Sequence, residues 1–288
     1  MCGLTERLCR RADLAPCVAG WYQSPRVWLG GCAMATIPYS TDTDRGEARF
    51  FFTMACLMAA IIVGGFTFNI VTGRSSFALP WLVHFHAWVM MAWVGLYLTQ
   101  NFLVFSDNVA LHRRLGWLSV VLVPPILAMG LAITRWTMQT RGGPPFFDQN
   151  QFLFSNPLQL FGMAALVAWA VTVRRNTGWH RRLMFCAFAM LLGPGVGRLL
   201  PAPYLIPYAW YLTAILPAVL FPALGMLADK RRYGAVHPAW LWGTGTVLGL
   251  QVVADLLAYS DWGVAFTESF VAGTPGAERP MAAFFPPM

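Results

Sequence analysis

Five histidines occur in this 288-residue chain, and three of them fall within one stretch, "VHFHAWVMMAWVGLYLTQNFLVFSDNVALHRRLGW" (83–117), which contains His84, His86 and His112. A second stretch, "GWHRRLMFCAFAMLLGPGVGR" (178–198), repeats His-Arg-Arg-Leu at His180, 68 residues beyond His112. Each repeat follows a short basic loop and heads an apolar run, which places both imidazoles at equal depth on different helices. That is what axial ligation of a b-type heme requires, with one nitrogen on each face of the iron. Arg113 and Arg181, beside the two histidines, suit heme propionates. The same tetrapeptide also serves as a topology anchor, with cations meeting anionic lipid heads and the histidine capping a first turn. Both readings stay open at this level.

His84 and His86 are two residues apart, so on a helix their side chains diverge by about 200° and only one faces a bundle. A heme at that level lacks a second histidine, and a bare metal ion finds no converging ligand set. Arg198 lies 18 residues beyond His180, and Asp255 lies 18 beyond His237. Straight helices lift both by roughly 27 Å, to the level of His84 and His86. Charges inside spans are functional candidates, so an outer polar pocket of Arg198, Asp255 and His84 is expected, with an ion pair between the first two. Above it runs the longest outer loop, "RWTMQTRGGPPFFDQNQFLFSNP" (135–157), read as a lid or a re-entrant segment. Nothing in the chain provides a catalytic triad, a phosphate loop or a carboxylate dyad.

The elements that must position these groups follow from composition. The chain is 57% hydrophobic and only 11% charged, against about a quarter charged in soluble domains. Seven apolar windows approach the length of a membrane crossing: 50–72, 80–105, 114–135, 157–173, 183–201, 204–228 and 238–258. Backbone amides in lipid must pair internally, which predicts an all-α integral membrane bundle of seven transmembrane helices. Lys and Arg number fifteen on the side of the N-terminus and five on the other. The N-terminus is therefore expected in the cytoplasm and the C-terminus outside. The net charge of +8 follows from this asymmetry and calls for no nucleic acid.

Residues 1–49 read as a cytoplasmic tail, 50–258 as the transmembrane domain and 259–288 as a flexible outer tail. Residues 1–33 hold four of the six cysteines and no apolar run fit for a signal sequence, while Met34 opens an ordinary short tail and marks an alternative start. The cysteine spacing fits neither a zinc site nor disulfides in the cytoplasm. Cys56 and Cys186 read as small packing residues. Pro124, Pro125, Pro217, Pro222 and the "GPGVGR" segment bend their spans, and Gln100, Asn101 and Gln251 are expected to bond between helices.

The pattern "HAWVMMAWVGLYLTQNFLV…LHRRLGW" is similar to that of a group of largely uncharacterised bacterial multi-pass inner-membrane proteins, in which a helix with an early histidine precedes a His-Arg-x-Leu-Gly loop. More distantly it resembles helical families that handle heme, such as cytochrome b561-type and oxidase-assembly proteins. The likeness covers about 83–117 with an echo at 179–198, and His86, Gln100, His112, Arg113 and Gly116 are the corresponding positions. It implies the bacterial inner membrane, and heme b on His112 and His180, with His86 as a further candidate. The chain departs from a four-helix heme core in having seven spans. Three functions remain in play: a heme-binding or redox protein, a small-molecule transporter or sensor with an outer site, and a non-catalytic subunit or assembly factor of a membrane complex.

Overall fold

A computed structural model describes residues 41–284. The cysteines at 2, 9, 17 and 32 and the alternative start at Met34 lie outside the described residues. Long, predominantly apolar runs form α1 (Thr41–Val71), α2 (Trp81–Phe105), α4 (Leu118–Arg141), α5 (Gln149–Thr172), α8 (Leu216–Tyr233) and α9 (Pro238–Ala258). The short α3 (Val109–Leu115) leads into α4, and a π-helical turn, Tyr211–Ile215, leads into α8. Among the described residues, six helices are long and apolar enough to cross a membrane. The expected fifth span is broken into α6 (Thr177–Ala189) and α7 (Gly193–Leu199), bent by 44°, and the count is seven if that pair is one span. Among the described residues there is no strand.

The core centres on α5, which packs against α4, α6 and α9, while α1 lies against α2 and α7. Its interior is aromatic and sulfur-rich: Trp93, Met163, Phe185, Phe188 and Trp240 are all buried. The outward faces carry exposed Trp88, Leu241, Trp242 and Leu256, the reverse of a water-soluble surface and suited to lipid. Without a hydrophobic drive between helices in lipid, close approach comes from small residues. A Cβ at Gly65 would sit 2.3 Å from the Gly195 carbonyl oxygen, so α1 and α7 cross backbone to backbone. Gly225 accommodates the ring of Trp240 in the same way, and Gly243 the thiol of Cys186.

Three boundaries differ from the sequence reading. The helix α1 begins at Thr41, inside the expected tail, and carries Glu47 into a buried ion network. The helix α5 begins at Gln149, eight residues before the expected window, because Gln149, Asn150 and Gln151 are buried and bonded rather than looped into water. The outer loop thereby shrinks to residues 142–148, too short for a lid. The expected flexible tail from 259 contains α10 (Asp261–Val271) and a 3₁₀ turn, Pro275–Glu278. Arg279 explains its order. The Arg279 guanidinium donates to the carbonyls of Gly142, Pro144, Pro145 and Phe147, and lies over the Phe284 ring. Burial pushes this guanidinium down to about 10, still charged at neutral pH.

Candidate functional site

The strongest convergence of chemically capable groups lies at the basic end of the bundle, where α2 meets α3 and α5 meets α6. Asn108 caps α3 and Asn176 caps α6, each accepting from a main-chain N–H three residues on, so both His-Arg-Arg-Leu segments enter helices in the same way. The His112 and His180 rings meet edge-on, with centroids 6.3 Å apart and planes at 78°. His180 Nδ1 lies 2.8 Å from the Ala170 carbonyl oxygen. A carbonyl can only accept, so Nδ1 carries the proton and Nε2 keeps its lone pair.

Gln100 of α2 controls the other ring. With its amide turned to satisfy both ends, it donates to His112 Nδ1 at 2.5 Å and to the His112 carbonyl at 3.0 Å, and accepts from the Gly116 N–H at 3.3 Å. In that orientation His112 holds its proton on Nε2. Freeing Nε2 as a ligand requires the amide to present its oxygen to Nδ1 instead. The guanidinium of Arg174 lies over the Trp117 ring at 5.3 Å, joining the two basic loops beside the pair. Arg113 is exposed at the same end.

Arg181, expected next to a propionate, is turned elsewhere. Its Nη2 lies 2.6 Å from Glu47 Oε2, within a network that sequence reading did not find. Arg182, 1% exposed, donates from Nε and Nη2 to both Asp229 oxygens at 2.9 and 2.6 Å, from Nη2 to Glu47 Oε1 at 3.0 Å, and from Nη1 to the Gly178 carbonyl at 3.1 Å. Trp240 Nε1 donates to Asp229 Oδ2 at 2.8 Å, and the Tyr233 hydroxyl to Glu47 Oε2 at 2.8 Å. The faint signal was two carboxylates, in "RGEARF" and "LADKRRY", placed among cations at the ends of apolar runs.

His237, the third histidine at this end, is a helix cap. Its Nδ1 accepts from the Ala239 N–H at 3.1 Å. Burial, reinforced by the charge of Arg182 and then Arg181, and opposed by Asp229, pushes its imidazole down to about 4 and keeps it neutral at pH 7.

At the opposite end the expected Arg198–Asp255 pair is not formed. Arg198 donates to the Pro194 carbonyl at 2.7 Å and stacks over Phe66 at 4.0 Å. Asp255 accepts from Gln251 at 2.8 Å, while that amide also reaches Ser155 across the α5–α9 contact at 3.0 Å. The two charges sit on helices that turn them to different neighbours. His84 is tied to the Phe77 carbonyl at 3.2 Å, and His86 presents a buried Nδ1 with no hydrogen-bond partner among the described residues. Asn101 bonds back to Tyr97 of its own helix rather than across helices. Asp148 accepts from the Tyr259 hydroxyl at 2.9 Å and the Ala283 N–H at 2.7 Å, which closes the outer turn.

The described residues hold no group of three or more His, Cys, Asp or Glu able to bind a metal ion. Two metal–nitrogen bonds of about 2 Å plus the two ring radii would span roughly 6 Å if one nitrogen of each ring turned toward the other, a length comparable to the 6.3 Å centroid separation. No protein-family model, curated protein or solved structure matches the chain.

Proposed function

We propose that this multi-pass membrane protein is a heme-linked redox protein of the bacterial inner membrane, with its N-terminus in the cytoplasm and a b-type heme held by His112 and His180. The observation that carries this reading is the convergence of two imidazoles from separate helices at 6.3 Å, one already in the tautomer of a metal ligand. A heme bound there supplies a one-electron couple. The chain's own part is to orient the rings. Ala170 fixes the proton of His180, and Gln100 decides which nitrogen of His112 is available. Arg113 supplies a positive charge at the basic surface for a propionate.

Visible spectra of detergent-purified protein made with heme supply test this reading. A Soret band with sharp α/β bands on dithionite reduction is expected, and both features are lost in His112→Ala and in His180→Ala. A flat spectrum above 320 nm, or a spectrum unchanged in both variants, refutes it.

The broken α6–α7 span favours transport as a second reading, since discontinuous helices build substrate sites in transporters. In that case the polar cluster of Asp255, Gln251 and Gln151 at the opposite end is the place where a substrate would bind.

A further inference from the structure

Between α1 and α8, at the basic end, lies a groove of about 510 Å³ with Phe50 and Met54 on one wall, Leu224 and Leu227 on the other, and Arg231 and Arg232 at its mouth. Its width is fixed from outside. Tyr233 is bonded to Glu47, and both helices are tied to Arg182 through Glu47 and Asp229, so their ends here are held together. Phe50 leans back against Phe185 of α6, with ring centroids 6.4 Å apart, rather than filling the gap.

The charge at the mouth is unbalanced for a specific reason. Glu47 and Asp229, two carboxylates of this region, are taken up by Arg181 and Arg182. Among the described residues, Arg231 and Arg232 have no carboxylate partner. The Arg232 guanidinium lies over Gly46 of α1, its Nη2 3.6 Å from where a Cβ would sit. It therefore reaches across the mouth from α8 to α1, at van der Waals distance.

An apolar channel beside two guanidinium groups that have no carboxylate partner among the described side chains complements one kind of molecule. We propose that this groove binds an anionic phospholipid, with the headgroup phosphate held by Arg231 and Arg232 and an acyl chain lying along Met54 and Leu224. The proposal is independent of the histidine pair. Arg forks match phosphate oxygens in a bidentate manner, and each basic residue near an anionic lipid surface contributes about 1 kcal/mol.

Native mass spectrometry of the full-length protein, released from a neutral detergent with phosphatidylglycerol, phosphatidylcholine or inorganic phosphate, tests it. One retained phosphatidylglycerol is expected, with phosphatidylcholine retained far less. Arg231→Gln/Arg232→Gln weakens retention roughly 30-fold, and Arg114→Gln/Arg175→Gln, which removes two exposed charges from the same end, leaves it unchanged. Met54→Trp fills the channel and abolishes retention with the charges intact, and Arg231→Lys/Arg232→Lys keeps part of it. These last two variants decide the matter if the double glutamine variant does not fold. Equal retention of both lipids, equal loss in the Arg114/Arg175 control, occupancy by phosphate alone, or a protein dimer that phosphatidylglycerol does not displace would each overturn the proposal.

Discussion

Replacing Arg182 by Met lowers the thermal unfolding midpoint in detergent, followed by tryptophan fluorescence, by about 10 °C or more. The reasoning starts from burial: Arg182 and Glu47 are each 1% exposed and Asp229 3%. Taking these charges out of water is repaid only while they are paired and hydrogen-bonded, so removal of the shared cation costs about 3–5 kcal/mol. Asp229 would keep only the Trp240 and His237 N–H donors, while Glu47 would keep Arg181 and Tyr233. Neutralising the orphan, in Arg182→Met/Asp229→Asn, should recover much of the loss. Arg182→Lys falls between, because an ammonium cannot reproduce the fork that meets both Asp229 oxygens. A midpoint for Arg182→Met within a degree or two of the parent shows that the network does not hold the basic end together.

Gly65→Val has the second large effect. Its Cβ would meet the Gly195 carbonyl oxygen at 2.3 Å and two further backbone atoms of Gly195 at 3.0 Å. Backbone cannot rotate aside as a side chain can, so α1 must move off α7, at a cost of about 1–3 kcal/mol or more. Gly64 is the internal control: nothing lies within 4 Å of its Cβ position, and Gly64→Ala should leave the unfolding midpoint unchanged. Equal behaviour of the two variants contradicts the close α1–α7 crossing.

Depth was legible in the sequence, and direction around the helix was not. Counting residues from the ends of apolar runs placed His112 and His180 at one level, and the structure brings their rings together. The same arithmetic placed Arg198 and Asp255 at one level, yet these turn to Pro194 and Gln251. Spacing along a helix sets height, whereas the helix that lies alongside is decided by packing, by contacts such as Gly65 on Gly195. Hydropathy hid the start of α5, because Gln149 and Asn150 look like loop residues until the Gly276 and Ala258 carbonyls that accept from them are in place. Arg279 escaped notice for a related reason. A lone arginine in a polar terminal segment carries no periodic signal, and its role depends on four carbonyls more than 130 residues away.

The measurement that tests the proposed site most directly is electron paramagnetic resonance of the oxidised, heme-supplied protein, compared with the His180→Ala variant. The account predicts a low-spin ferric signal of bis-imidazole ligation in the parent, and its loss or conversion to high-spin iron in the variant. The absence of a ferric heme signal in the parent, or a low-spin signal that persists without His180, would contradict it.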